Sequence, residues 1–385
     1  MISTDAWVLR AGPVGTAQQE ATLTRETLSL REPADHEALV EPLTGSWEAN
    51  MDHALARSPV DICRQRGEPA VIIGNSGLVR VLRPARSAPS PPQGTVCMLL
   101  PFGVRDPHGY VVRVHGYDAP GSYGLLARRI PLSAELLLPL PTDTPFPPER
   151  WAPALRYFTA WDNWHVAHRC WRAQMGDDDP AGHLVFGWGG GVALAALELA
   201  RRAGFRTAMT AGTDARVALL RARGISPVDR RDYPHLAYHA ASDRDRDRDR
   251  DGQRESEHAF LEKIAQLSDG RGVSILLDNI GGPLHEVTMR ALARQGVITT
   301  CGWKAGMNLP VVRATECQSR HLHVHTHGWR FEESPAIRDY QERTGWIADV
   351  AHQHTHDFDD VPQLAREYAQ GRVDDYYPLY QVNPL

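Results

Sequence analysis

Between His183 and Arg216 the chain reads HLVFGWGGGVALAALELARRAGFRTAMTAGTDAR. An apolar run, Leu184 to Phe186, meets Gly187, Gly189, Gly190 and Gly191. A helix is predicted from about Val192 to Ala203, and a second strand ends at Thr210, Ala211, Gly212 and Thr213. Strand, glycine turn, apolar helix and strand in this order predict a βαβ unit of a parallel sheet that binds a dinucleotide. Glycine is required there because the chain turns sharply and its backbone must come close to a pyrophosphate. The helix then aims its N-terminus at that anion. Ala193 stands where such turns carry a third small residue for close helix–strand packing.

The turn after the second strand bears on which dinucleotide. A carboxylate at the strand end favours a ribose 2′-hydroxyl. None stands there: Asp214 lies further into the turn and Arg216 follows it. An arginine pairs a 2′-phosphate, so the expected cofactor is NADPH. The candidate binding residues are Gly187, Gly189, Gly190, Gly191, Val192, Gly212, Thr213 and Arg216, with Arg230 and Arg231 after the next strand as further charge.

The chain has 385 residues, which suggests two domains, and 42% hydrophobic residues, enough for sizeable cores. A net charge of −5 gives no basic footprint for nucleic acid. No apolar run is long enough to span a bilayer, and the start MISTDAWVLRAG lacks a signal pattern, so the expected location is the cytoplasm, without membrane partners. The five cysteines, Cys63, Cys97, Cys170, Cys301 and Cys317, are scattered without a CxxC, which indicates neither a disulfide framework nor a cysteine-rich zinc lobe.

Short strand candidates crowd the first 150 residues: 28–30, 38–41, 70–73, 78–82, 96–100 and 110–114. Proline- and glycine-rich turns separate them, which predicts a small barrel or sandwich. Residues 151–171 read as a helix and a hinge. Later strands are expected at 274–278 and 296–302 with a helix at 284–293 between them. A further helix is expected at 361–370, and a closing strand at 376–382 returns to the first domain. The alternating Asp/Arg run from Asp243 to Asp251 predicts a solvated loop.

An irregular β domain, a nucleotide unit and a short C-terminal return resemble the medium-chain dehydrogenase/reductase superfamily. So do ALVE (38–41), IGNSGLVRVL (73–82), YFTAW (157–161) and the turn LDNIGG (277–282). Within it, HGYDAPGSYGLL (115–126) and the insertion near 235–262 are similar to crotonyl-CoA carboxylase/reductases. The resemblance implies a GroES-like domain over 1–155, completed by about 350–385, and a Rossmann domain over 156–349. It also implies a homodimer or homotetramer, and cofactor contacts at Thr159, Asn279 and Gly302. Zinc-binding relatives carry a ligand histidine where Asn75 stands, a glutamate where Ser76 stands, and an early cysteine that GSWEANMD (45–52) lacks. No metal is therefore expected, as in the zinc-free reductases of activated double bonds.

Carboxylating members hold CO2 with an asparagine, a Phe-Glu pair and a histidine. Asn50, Tyr117 with Asp118, and His325 or His327 are the matching positions. Asp118 is one methylene shorter than the family's acid, which argues for plain reduction rather than carboxylation. The expectation is an NADPH-dependent reductase of a 2-enoyl thioester, bound to coenzyme A or a carrier protein. A non-redox lyase, cyclase or binding subunit, and a quinone or ketone reductase, stay open. His321, His323, His325 and His327 alternate, as do His352, His354 and His356, so on strands each set shares one face. Such a face is polar decoration, a metal site, or the source of one catalytic histidine near the active cleft.

Overall fold

The computed structural model describes residues 1–13, 20–236, 250–301, 310–326 and 328–385. The chain divides into two units, one of Met1–Phe158 with Trp329–Leu385 and one of Thr159–Gly328. The segment 329–349, expected in the second domain, therefore packs within unit 1.

Unit 1 opens with β1 (Ile2–Arg10), β2 (Thr24–Leu30) and β3 (Glu37–Ser46), then α1 (Ala49–Ala56) and α2 (Ile62–Arg66). Strands β4 (Ala70–Val71), β5 (Gly77–Arg83), β6 (Val96–Leu99), β7 (Phe102–Arg105), β8 (Val111–Val114), β9 (Ile130–Ser133) and β10 (Leu137–Pro139) follow. They are short because proline and glycine interrupt them, and β3 shows an alternation of half-buried and buried residues over its first half. β1 pairs antiparallel with β2 and β4, and β7 with β8. The helix α3 (Ala154–Met175) begins in unit 1 and continues into unit 2.

Unit 2 contains β11 (Leu184–Gly187), α4 (Gly191–Arg202), β12 (Arg206–Ala211), α5 (Asp214–Ala222), β13 (Ser226–Asp229), α6 (Arg250–Leu267), β14 (Val273–Asp278), α7 (His285–Ala291), β15 (Leu292–Thr300) and β16 (His323–Thr326). Its strands are all parallel, in the order β13-β12-β11-β14-β15-β16. Counted from β11 this is 3-2-1-4-5-6, the order of a Rossmann sheet, whose ligand crevice opens between the first and fourth strands at their carboxyl ends. The sheet is buried as a parallel sheet must be: every residue of β11 and β14 is buried. The expected helix at 284–293 is shorter, because the chain is already extended at Leu292. Of the Asp/Arg run, 243–249 lies outside the described residues, while Arg250 and Asp251 open α6.

The chain returns to unit 1 through α8 (Ser334–Thr344), β17 (Thr355–Asp357), α9 (Val361–Ala369) and β18 (Leu379–Gln381). β18 pairs antiparallel with β3, closing a sheet of order β10-β6-β5-β3-β18-β17 with β9 also on β3. Among the described residues no helix is long and apolar enough to cross a membrane.

Candidate functional site

In unit 2 the carboxyl end of β11 and the N-terminus of α4 meet at the glycine turn. Gly187 must be small because a Cβ there would come within 3.0 Å of the Ala193 Cβ and 3.3 Å of Leu197 Cδ1. Gly189 and Gly190 have φ of +98° and +87°, which side-chain-bearing residues rarely adopt. Gly190 is the N-cap of α4, has no side chain of its own to cap the helix, and a Cβ there would meet nothing within 4 Å. The turn thus leaves open space beside the N-terminus of α4, the arrangement that suits a phosphate group. Gly191 and the half-buried Val192 form the first turn of that helix. Trp188 anchors the turn from below. Its ring stacks on Phe260 at 4.8 Å, and its Nε1 donates to Thr288 Oγ1 at 2.7 Å.

At the end of β12 the Thr213 hydroxyl accepts from the Arg216 backbone N–H at 3.4 Å and starts α5. Gly212 is covered by Arg230: a Cβ at Gly212 would lie 2.2 Å from Arg230 Nε and 2.6 Å from its Cζ. Arg231, the other expected cation, is held by carboxylates. Its Nη2 lies 2.6 Å from Asp214 Oδ1 and 2.5 Å from Asp229 Oδ2. Those two carboxylates raise its already high pKa further. Arg231 is thus committed to two acids, while the guanidinium of Arg230 lies on the strand end.

Across the switch point, Gly187 is level with Leu277, so Asn279 leaves β14 just beyond the glycine turn. Asp278 is fully buried; it accepts from the backbone N–H of Ile280 and of Gly281 and from the Thr300 hydroxyl, and so fixes this turn. Thr159 lies buried on α3. Three further residues, not expected from the sequence, tie the strand ends together. Asn163 accepts from Thr299 Oγ1 at 2.9 Å and donates to Cys301 Sγ at 3.5 Å. The Cys301 thiol in turn donates to Asn279 Oδ1 at 2.9 Å, and burial pushes that thiol up to about 12. Asp162 Oδ2 lies 3.3 Å from His325 Nε2 and accepts from the Gly328 N–H. No local pattern marks Asp162 or Asn163, whose partners are more than a hundred residues away. Gly302 and His327 lie outside the described residues.

The histidine stripes separate. Only His323 and His325 belong to β16, and His321 adopts φ +55°, which ends the alternation before the strand. Of the second set only His356 is on β17, with its ring 4.7 Å from that of His354. Among the described residues no three His, Cys, Asp or Glu side chains converge to hold a metal ion.

In unit 1, Asn50 sits in the first turn of α1, and its buried Oδ1 has no partner among the described residues. Tyr117 is buried, which raises its phenol well above the usual range. The Asp118 carboxylate is engaged locally: it accepts from the Val114 N–H at 2.6 Å and from Arg113 Nη1 at 3.1 Å. Arg66 staples the same turn through the carbonyls of Tyr117 and Ser122. His115 Nε2 donates to the Tyr123 carbonyl at 3.0 Å, and burial lowers its pKa to about 4. In place of metal-ligand residues, the 45–52 segment contributes Glu48, which pairs with Arg156 at 3.0 Å while both are buried.

His115 and His165 are both lowered to about 4 by burial. The unfolded chain takes up protons near pH 6.5 that the folded one refuses until about pH 4. The stability held by the neutral rings is therefore complete above pH 6.5 and lost as pH falls toward 4. At pH 5 each ring accounts for roughly 2 kcal/mol. Melting at pH 7.5 and pH 5 should show a drop that His115→Gln reduces; an unreduced drop would clear His115 of the effect.

No family model and no curated protein sequence matches this chain. Solved structures do. A structure of crotonyl-CoA carboxylase/reductase AntE in complex with NADP superposes with a TM-score of 0.79 at 17% identity, over 99% of this chain and 95% of that one. The 2-octenoyl-CoA carboxylase reductase CinF, in complex with NADP and 2-octenoyl-CoA, gives 0.79 at 19% identity over 100% and 88%. An alcohol dehydrogenase from the archaeon Aeropyrum pernix gives 0.74 at 15% identity over 98% and 99%. At these identities the likeness establishes architecture: the chain has the GroES-like plus Rossmann fold shared by crotonyl-CoA carboxylase/reductases and medium-chain alcohol dehydrogenases.

Proposed function

We propose that the chain is an NADPH-dependent oxidoreductase that reduces an activated double bond, with a 2-enoyl thioester as its substrate. The observation that carries this reading is the glycine-capped N-terminus of α4 behind two positive-φ glycines at the switch point of a 3-2-1-4-5-6 sheet. The residues fit the cofactor. The turn at Gly189 and Gly190 accepts the pyrophosphate, and Gly212, Thr213, Arg216 and Arg230 take the adenosine 2′-phosphate. Asn279, Cys301 and Asn163 define the nicotinamide end. The fold neighbours solved with NADP, one of them with an enoyl-CoA as well, support the same assignment.

Bound NADPH supplies a hydride for the β-carbon of the conjugated thioester, and the α-carbon then gains a proton. The protein's part is to orient, exclude water and manage that proton. His325 donates from Nε2 to Asp162, which leaves Nδ1 as the atom that exchanges the proton. Asn50 orients the substrate through its unpartnered Oδ1. Asp118, bound to its own turn, shapes the loop rather than moving protons. Reduction without carboxylation follows from that local commitment.

Nicotinamide oxidation followed with crotonyl-type thioesters, with and without bicarbonate, tests the reading. Turnover with NADPH, unaltered by bicarbonate, is expected, and the product is the saturated thioester. Cofactor binding without oxidation by any enoyl or carbonyl compound would contradict it and point to a non-redox role.

A further inference from the structure

Within unit 2 a run of side-chain hydrogen bonds connects the core to the carboxyl ends of the strands. Thr299 on β15 is fully buried and donates from Oγ1 to Asn163 Oδ1 at 2.9 Å. That bond fixes the buried Asn163 amide and leaves its Nδ2 to donate to Cys301 Sγ at 3.5 Å. The thiol has one proton to give, and it goes to Asn279 Oδ1 at 2.9 Å. The last amide of the run thus has its oxygen occupied, while its Nδ2 has no partner among the described residues. Thr299 and Asn163 are sealed in the core, whereas Asn279 is only half-buried.

Asp278 is level with Thr300 across β14 and β15, so Asn279 and Cys301 are the first residues past the paired strand ends. Other groups hold the backbone of that turn. Asp278 accepts from the Ile280 and Gly281 N–H groups, and the Cys301 N–H donates to the Asp278 carbonyl at 3.4 Å. The thiol is therefore not needed to shape the turn; what its proton sets is which way the Asn279 amide faces. Burial pushes the thiol up to about 12, so that proton stays on sulfur at neutral pH. A dinucleotide with its adenosine end at Gly212 and Arg230, beyond β12, crosses the switch point and places its nicotinamide half over β14 and β15. An amide N–H there needs an acceptor, and the carboxamide oxygen is the one strong acceptor on a reduced nicotinamide ring.

We propose that Cys301 is a positioning residue: it holds the Asn279 amide with Nδ2 as the free donor, and that N–H binds the nicotinamide carboxamide oxygen. This deepens the reductase reading and rests on its cofactor assignment. An amide free to rotate presents its oxygen as readily as its nitrogen, and the oxygen repels a carbonyl. Fixing the amide beforehand removes that cost from binding. The part played by the thiol is hydrogen-bond donation, so a hydroxyl in its place serves and an apolar side chain does not.

The test titrates two ligands into the full chain and its variants: NADPH, and 2′-phospho-ADP-ribose, which lacks only the nicotinamide ring. In Cys301→Ala the NADPH Kd is expected to rise about 3- to 10-fold, the worth of one hydrogen bond, while 2′-phospho-ADP-ribose stays within about twofold. Cys301→Ser should restore NADPH binding to within about twofold of the unaltered chain. Adding Cys301→Ala to Asn279→Ala should cost nothing further, because both act through one amide. Should Cys301→Ala not fold, Cys301→Val fills the volume without a donor and decides on the same criteria. An unchanged NADPH Kd overturns the proposal. So do equal losses for the two ligands, which mark a packing role, a serine variant as weak as the alanine one, or additive losses in the double variant. In each of those cases a parent chain that binds NADPH leaves the cofactor assignment standing, whereas a folded parent that binds neither ligand removes both.

Discussion

Arg230→Ala is expected to weaken NADPH binding by about 10- to 100-fold while leaving NADH binding nearly unchanged. That range corresponds to roughly 1.4–2.8 kcal/mol, the strength of one charge-assisted contact to a phosphate. The expectation comes from the division of labour between two adjacent arginines. Arg231 is bracketed by Asp214 and Asp229, so little of its positive charge is left for an added anion. Arg230 instead lies across Gly212 at the end of β12. Arg231→Ala should therefore change the NADPH Kd by no more than about threefold, as exposed ion pairs are worth little. Arg216→Ala should also discriminate between the two nucleotides, from the first turn of α5. Gly212→Ala offers an independent route to the same outcome, because its Cβ would collide with the Arg230 guanidinium and displace it. Titrations of each variant with NADPH and NADH check this; equal losses for both nucleotides would contradict the 2′-phosphate assignment.

A larger and less selective loss is expected from Gly190→Val. Gly190 combines φ +87° with ψ 162°, a region essentially restricted to glycine. Valine there brings about 1–3 kcal/mol of backbone strain and fills the open space before the α4 N-terminus. Both nucleotides should lose more than about 100-fold in affinity, which exceeds the strain alone because the pyrophosphate position is blocked. The melting temperature should fall by only a few degrees. A variant that melts lower yet binds NADPH normally would show that the glycines serve only the turn.

The sequence makes the βαβ unit at the glycine turn legible because everything that specifies it is local. The apolar run Leu184–Phe186, the glycines and the small-residue helix face all lie within one stretch of chain. Other parts are specified from a distance. Arg230 and Arg231 are the same residue type side by side, and the pairing of Arg231 with Asp214 and Asp229 is set by the fold rather than by residue type. Asp162 meets His325 across 163 positions of sequence, and Asn163 meets Thr299 across 136. The strand β1 is hard to read because Ser3 and Asp5, on its outward side-chain face, interrupt the apolar run, while β2 pairs along its edge. α6 was missed because its first turn belongs to the charged repeat. Asp118 stands at a catalytic position in pattern, and yet its carboxylate bonds the backbone N–H of Val114 four positions earlier, a competition that short acidic side chains often resolve toward the backbone. His321 breaks the alternating stripe by turning left-handed, which the spacing of histidines does not encode.

If the Gly189–Gly190 turn and the cations at the end of β12 hold a phosphorylated nicotinamide dinucleotide, isothermal titration of NADPH and NADH into the purified full chain will show it. Saturable binding of NADPH at one site per chain, at least about tenfold tighter than NADH, is the predicted result. No binding heat from either nucleotide, with the protein folded, would rule out a dinucleotide site at this turn.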